Sequence, residues 1–109
     1  MKLSQGTMLK IYIGESDKHG NRPLYEWLVQ EAKKAGIAGA TVWRGLEGFG
    51  AHNTVHSSKI LDISTNLPIV VEFIDTREKI EAFMPFLDEN LTEGLAALVD
   101  CDLRWYRKS

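Results

Sequence analysis

Hydrophobic and polar residues alternate in four segments of the chain, and in two further segments the hydrophobic residues recur every three or four positions. The alternating segments are residues 9–14, 40–48, 67–75 and 95–106. Alternation predicts β-strands, because successive side chains of a strand point to opposite faces of its sheet. The helical period covers residues 22–36 and 76–94 and predicts two α-helices.

The residues at the ends of the two predicted helices fit their positions. Pro23 suits the first turn of a helix, and Gly36 suits the position just past its end. Thr76 is a candidate N-cap of the second helix, and we expect Gly94 to end it. Pro85 lies inside the second helical stripe, so we expect it to bend this helix or to end its regular part.

The predicted elements follow one another in the order βαββαβ. This order predicts a ferredoxin-like α+β fold, in which one four-stranded antiparallel sheet carries both helices on one face. A chain of 109 residues suits a single domain, which we expect to span residues 1–109.

In this fold no helix covers the second face of the sheet. Alternation along the four strands places several large apolar side chains on that open face, namely Tyr12, Trp43, Val70, Ile74 and Leu98. Monomeric proteins rarely expose a large contiguous apolar patch, so we expect an oligomer with cyclic symmetry. The alternative is a scatter of single exposed apolar residues, which is common on protein surfaces.

Composition and charge exclude several classes of protein. The net charge is −2 and the chain has no cluster of Lys and Arg, so we expect no nucleic-acid partner. The single cysteine, Cys101, fits a reducing compartment and predicts a cytoplasmic protein. Asp100 and Asp102 flank this cysteine, and their charges disfavour a reactive thiolate. The N-terminal apolar run is too short for a signal peptide or a membrane span.

The segment RGLEGFGAHN, residues 44–53, contains the glycines Gly45, Gly48 and Gly50. A dinucleotide-binding motif has a different spacing and leads into a helix, and a P-loop needs Gly-Lys-Ser or Gly-Lys-Thr, so neither motif fits. Two interpretations stay open. The glycines let the backbone approach an anionic ligand or adopt positive φ at a strand end, or they form a bulge before a loop.

Two histidines in the following loop are candidate metal ligands. His52 and His56 are four positions apart, with Glu47 and Asp62 near them in the sequence. A zinc site normally needs three or four placed ligands, and a loop does not fix the distance between two residues. Exposed loop histidines without a metal are therefore the alternative.

The central block of the chain resembles the nitrogen-regulatory PII signalling proteins. EGFG, then residues 51–66, then LPIVVEFID follow the family's order of a Gly-Phe-Gly strand end, a long mobile loop and a Leu-Pro strand start. The opening LKIYIGESDK and the late GLAALVDCDLRWY are similar to an uncharacterised PII-like branch, a family of unknown function. The resemblance covers nearly the whole chain.

This resemblance implies a homotrimer whose open sheet faces line its centre and whose clefts between subunits bind an adenine nucleotide. By position, it implies that the ligand meets the loop base, the short loop before the last strand and the C-terminal arginines, which are Gly48, Phe49, Gly50, His52, Gly94, Arg104 and Arg107. The ligand implied is ADP, ATP or AMP, with or without Mg²⁺, and no cofactor is required.

The chain departs from the PII pattern at two places. Leu95 stands where PII proteins have a phosphate-binding lysine, and residues 51–66 contain no tyrosine that could be modified. A nucleoside diphosphate, a monophosphate or another small effector therefore stays open as the ligand.

The resulting functional hypothesis is a trimeric regulator rather than an enzyme. It would report its ligand through the 51–66 loop to a protein partner, such as a transporter, a channel or an enzyme. The alternatives are a trimeric metal-binding or metal-tolerance protein that uses His52 and His56, and a small enzyme with a carboxylate in the cleft between subunits.

Overall fold

A computed structural model describes residues 1–50, 56–57 and 66–107 of the chain. Its main elements, in chain order, are β1 (Lys2–Gly14), α1 (Leu24–Lys34), β2 (Gly39–Arg44), β3 (Pro68–Thr76), α2 (Arg77–Asn90) and β4 (Leu95–Trp105). Two short ribbons of two-residue strands pair Lys18–His19 with Arg22–Pro23 and Glu47–Gly48 with His56–Ser57. The predicted βαββαβ order is confirmed.

The four long strands form one antiparallel sheet in the order β2-β3-β1-β4. β1 pairs with β3 on one side and with β4 on the other, and β2 pairs only with β3 among these strands. The strands β2 and β4 are therefore the two edges of the sheet. This arrangement confirms the predicted ferredoxin-like plan.

Both helices pack on the same face of the sheet, which we call the covered face. Leu9, Ile11 and Phe73 on this face are each 0% exposed. The helices contribute Leu28 and Ile80, also 0% exposed, to the same hydrophobic cluster. Burial of each such side chain stabilises the fold by about 1.5–3 kcal/mol, so the layer between the sheet and the helices is the hydrophobic core of the chain.

The ends of α2 follow the sequence signals in part. Thr76 is its N-cap, as predicted, and the Thr76 hydroxyl accepts a hydrogen bond of 3.3 Å from the backbone N–H of Lys79. The helix continues through Pro85 to Asn90, so the expectation that Pro85 ends its regular part is wrong. Phe83 and Leu87 explain this, because both are buried in the core on either side of Pro85 and hold the two turns in place.

The other predicted stop of α2 is also displaced. The helix ends at Asn90, before Gly94, and the Asn90 amide donates a hydrogen bond of 2.8 Å to the carbonyl of Phe86. Gly36 has a φ of +82° just past α1, which confirms its predicted position.

The register of β4 corrects the predicted contents of the open face. Leu98 lies opposite Leu9, which is in the core, whereas Leu95 lies opposite Tyr12. Directly opposed residues of an antiparallel pair share a face. Leu98 therefore belongs to the covered face, and Leu95 and Val99 belong to the open face, the reverse of the expectation from alternation.

An ion pair at the start of α2 supports this register. The Arg77 guanidinium lies 4.0 Å from the Asp100 carboxylate, so Asp100, two positions after Leu98, is on the helix side of the sheet. A hydrogen bond to Glu81 and the charge of Asp100 raise the pKa of Arg77. The group therefore stays a cation throughout the physiological pH range.

The open face is rich in exposed apolar side chains. Tyr12, Trp43, Leu95 and Val99 are 42%, 57%, 67% and 40% exposed in the single chain. Met8, Val70 and Ile74 share this face by register and are half-buried. The predicted apolar patch is therefore present with Leu98 replaced by Leu95 and Val99, and the assembly that it implies stays a prediction.

Candidate functional site

Both glycine segments singled out in the sequence lie at one end of the sheet. We call it the loop end; it holds Gly14, Arg44, Pro68 and Leu95 as the terminal residues of the four strands. The segment 45–50, which we call the glycine corner, follows β2, and Gly94 precedes β4. Because β2 and β4 are separated by three interstrand spacings of about 4.8 Å, the two segments stand about 14 Å apart at opposite edges.

The glycine corner passes close over the first residue of β3. The backbone N–H of Gly45 donates a hydrogen bond of 2.7 Å to the carbonyl of Pro68. A Cβ atom on Gly45 would lie 2.7 Å from Cγ of Pro68, and one on Gly48 would lie 3.2 Å from the same atom. Packing against Pro68 therefore leaves no room for a side chain at position 45, and at position 48 a side chain would require Pro68 to shift by a few tenths of an ångström.

The structure tests one of the interpretations of the glycine motif. Positive φ is wrong for the corner, because the glycines with positive φ among the described residues are Gly20, Gly36 and Gly94. The register of β2 with β3 is unbroken from Gly39 to Arg44 and ends before the glycines, so a bulge before the loop stays a prediction. The backbone of the corner closely approaches the Pro68 ring, and its approach to an anionic ligand also stays a prediction.

The last two residues of the corner behave differently from Gly45 and Gly48. A Cβ atom on Gly50 would meet nothing within 4 Å among the described residues. Phe49 is 68% exposed. Packing within the described part of the chain therefore does not explain Phe49 or Gly50.

Gly94 is required by the backbone. Its φ is +124°, a conformation that other residues rarely adopt. A Cβ atom there would lie 3.0 Å from the carbonyl oxygen of Tyr12. A cavity of about 300 Å³ adjoins it, with Leu87 and Leu95 among its apolar lining and Asp88 and Glu93 among its polar lining. The two carboxylates make this cavity a poor place for a phosphate.

A charged pair at the loop end was missed by the sequence reasoning. The Arg44 guanidinium contacts both carboxylate oxygens of Glu15, with Nε 2.9 Å from Oε2 and Nη2 donating to Oε1 at 3.1 Å. Arg44 is the last residue of β2, directly before the glycine corner, and Glu15 directly follows β1. The pair therefore spans β3, and the only sequence signal for it was one charged residue at the end of each strand.

The same turn after β1 also holds the segment that leads into β3. The backbone N–H of Glu15 donates to the carbonyl of Leu67 at 2.8 Å, and that of Ser16 donates to the side-chain oxygen of Asn66 at 2.9 Å. The carboxylate of Asp17 accepts a hydrogen bond of 2.9 Å from the N–H of Gly14, which fixes the turn itself. Residues on both sides of the 51–65 segment are thus bound to one short turn.

The predicted C-terminal arginines do not lie at the loop end. Arg104 is opposite Leu3, near the other end of β4, roughly 30 Å from Gly94 at a rise of about 3.3 Å per residue. The Arg107 guanidinium lies over the ring of Trp105, 5.2 Å from its centroid. A single chain therefore does not bring either arginine to Gly48 or Gly94.

The histidine predictions are not tested by the structure. His52 lies outside the described residues, as does Asp62, and only the backbone of His56 is described, opposite Gly48. Within residues 1–50 and 66–107, no group of three or more His, Cys, Asp or Glu side chains could hold a metal ion. None of the described helices has the length and apolar character needed to cross a bilayer. The cytoplasmic location stays a prediction.

The sequence matches one protein family and several of its members. The model of the DUF190 family, described as "Uncharacterized ACR", matches residues 6–103. A UPF0166 protein of Aquifex aeolicus is 32% identical over 103 residues, which cover 94% of this chain and 97% of the relative. The UPF0166 protein MJ1524 of Methanocaldococcus jannaschii is 37% identical over 95 residues, covering 86% and 87%.

Solved structures of PII-like proteins have a similar fold. CPII from Thiomonas intermedia K12, bound to ADP and bicarbonate, aligns with a TM-score of 0.59 at 22% identity, over 94% of this chain and 91% of CPII. The PII-like protein TTHA0516 of Thermus thermophilus aligns with a TM-score of 0.62 at 19% identity, over 94% and 92%. CutA1 from Oryza sativa aligns with a TM-score of 0.55 at 8% identity, over 95% and 84%. These likenesses establish the PII-like fold.

Proposed function

The chain belongs to the DUF190 family and has a PII-like fold, and we propose that it is a homotrimeric regulatory protein, not an enzyme, that binds an adenine nucleotide between neighbouring subunits. The ligand is ADP, ATP or AMP, with Mg²⁺ when the phosphate chain requires it. CPII, a protein of the same fold, has been solved with ADP, AMP and bicarbonate. That ligand set supports an adenine nucleotide as the first effector to test.

The observation that carries the proposal is a difference in packing between the first and the last residues of the glycine corner. Gly45 and Gly48 are packed against Pro68, whereas Phe49 and Gly50 are free of packing among the described residues. A rigid base followed by unpacked residues is the arrangement needed for a backbone that contacts a ligand. We assign Gly48, Phe49, Gly50 and the undescribed His52 to the nucleotide site on this basis.

The remaining ligand contacts come from two chains in this proposal. Gly94 lines the cleft at the other edge of the sheet, and Arg104 and Arg107 reach the phosphates from a neighbouring subunit. The distance of roughly 30 Å along β4 supports this division, because no single chain spans it with an arginine side chain. The apolar open face, which includes Trp43 and Leu95, supplies the contacts that join the subunits.

The regulatory step is a change of loop population. A ligand shifts a conformational equilibrium only by the difference of its affinities for the two states. Contacts made by the nucleotide with one arrangement of the 51–66 loop would favour that arrangement, which would present or hide a surface for a protein partner. A transporter, a channel or an enzyme is the class of partner proposed.

Calorimetric titration of the purified protein with ADP, ATP and AMP, with and without Mg²⁺, tests the proposal. We expect saturable binding of at least one of these nucleotides with one site per subunit, and GDP serves as the control ligand. Gly50→Val should weaken binding at least tenfold, since a Cβ atom at this position meets no atom of the described residues but would occupy the ligand's space. Light scattering should show an unchanged trimer.

Three results would contradict this. Wild-type protein that binds none of the three nucleotides would refute the ligand assignment. Full affinity in Gly50→Val would remove the corner from the site. Dissociation of the Gly50→Val protein into single subunits would mean that this glycine serves assembly instead.

A further inference from the structure

The pair formed by Arg44 and Glu15 has the geometry of an anion site whose occupant is an internal carboxylate. Two nitrogens of the guanidinium contact two oxygens of Glu15, at 2.9 and 3.1 Å. A guanidinium fork binds a carboxylate and a phosphate in the same two-point manner. Arg44 is therefore able to exchange one anion for the other without changing its own conformation.

The pair is also weak enough to exchange. The Arg44 side chain is 59% exposed and the Glu15 side chain is 25% exposed. Ion pairs at such positions contribute about 0–1 kcal/mol, because water and salt screen them. A phosphate group with two charges competes well against a carboxylate with one charge for the same fork.

The charges around the glycine corner give Arg44 a further role. Acidic residues also occur at this end of the sheet, Glu47 within the corner and Asp17 in the turn after β1. Leu95, at the other edge of the loop end, supplies no charge. Arg44 therefore offers a positive charge beside these acidic residues to a phosphate that approaches the corner, in addition to the arginines proposed to come from a neighbouring subunit.

Glu15 contacts residues on both sides of the segment that runs from the corner to β3. Its side chain binds Arg44, which leads into the corner, and its backbone N–H binds Leu67, which leads into β3. We infer that Arg44 receives the phosphate of the ligand and that Glu15 is its competitor, occupying the guanidinium while the ligand is absent. This inference rests on the proposed nucleotide site and names its specificity-determining residue.

Removing the charge of Glu15 is the decisive test. If Glu15 competes with the ligand for Arg44, ADP affinity rises; if the pair only holds the corner in place, ADP affinity falls. Glu15→Gln keeps the shape of the side chain but removes its charge, so ADP should bind about two to five times more tightly than to wild-type protein, the gain expected from loss of a competing pair worth up to about 1 kcal/mol. Arg44→Gln should weaken ADP binding at least tenfold. Arg44→Lys, which keeps the charge without the fork, should fall between wild type and Arg44→Gln.

Two controls accompany these variants. Arg22→Gln removes a cation from the short ribbon before α1 and should leave the affinity within twofold of wild type. Glu15→Gln should have no effect on affinity in an Arg44→Gln background, since the competitor acts only through Arg44. A clamp that merely holds the corner would instead make both single variants bind ADP more weakly, and that result would overturn the inference while leaving the proposed function intact.

The melting temperature in the presence of inorganic pyrophosphate tests anion binding by Arg44 separately from nucleotide binding. If wild-type protein binds no nucleotide but pyrophosphate raises the melting temperature of wild type and not of Arg44→Gln, the anion site stands and the nucleotide proposal fails. If neither nucleotide nor pyrophosphate acts on wild-type protein, both are overturned. If pyrophosphate protects Arg44→Gln as well as wild type, another residue binds the anion and the inference is wrong.

Discussion

The two faces of the sheet differ clearly in burial along β3, where neighbouring residues point in opposite directions. On the covered face, Val71 and Phe73 are each 0% exposed beneath the helices. On the open face, Val70 and Ile74 are apolar as well but remain half-buried without any element over them. Apolar character alone therefore does not make a core; a layer must also be covered. The open face has the composition of a buried layer and lacks the cover within one chain.

The largest expected difference between the faces is in folding stability. Phe73→Ala removes a fully buried ring that meets Phe83 edge-on, with centroids 5.7 Å apart, so the free energy of unfolding should fall by about 3–5 kcal/mol. Thr41→Ala, at an exposed position of the open face, should change it by about 0.5 kcal/mol or less. Urea denaturation followed by circular dichroism measures both. Equal losses would mean that the open face is part of the folding core.

The second difference is in assembly. Val99 and Leu98 are adjacent and similarly exposed, at 40% and 50%, but they lie on opposite faces. Val99→Glu should dissociate the proposed trimer, because it would place a charge in an interface between open faces. Leu98→Glu should leave the trimer assembled. Analytical ultracentrifugation distinguishes these results, and the reverse pattern would restore the face assignment expected from alternation.

The smallest expected effect concerns the helix that covers the core. Thr76→Ala removes the hydroxyl that caps α2, and the free energy of unfolding should fall by about 1 kcal/mol. The trimer should be unaffected, because the cap lies on the helix side of the sheet. Thr92→Ala, at an exposed position after α2, is the matched control and should be close to neutral. A loss of assembly in Thr76→Ala would show that the two faces are coupled.

The order of elements and the contents of the core were predictable from the sequence, whereas the phase of β4 was not. Strand β1 alternates cleanly over residues 9–13, and the charge of Glu72 sets the phase of β3, so Leu9 and Phe73 could be assigned to the core at once. Residues 95–99 are apolar at all five positions, so both phases fit the pattern. Pairing with β1 settles the phase, and pairing is a long-range property that alternation does not contain.

The candidate site was predictable only in outline. Spacing drew attention to the corner, but only the contact with Pro68 separates Gly45 and Gly48, which pack against its ring, from Gly50, which contacts no described residue. The pair of Arg44 and Glu15 joins residues 29 positions apart and needs the strand order to be found. The place of Arg104 at the far end of β4 follows from the antiparallel sheet and could have been deduced from the topology.

The length of β4 has a consequence for how the ligand and the subunits depend on each other. In the proposed site, a molecule that touches Gly94 of one chain and Arg104 of another would hold the two chains together, so dilution of the protein and depletion of the ligand would each favour separate, unliganded chains. Occupancy would then rise with protein concentration even at a fixed amount of free ligand. The protein would respond to its own abundance as well as to the metabolite.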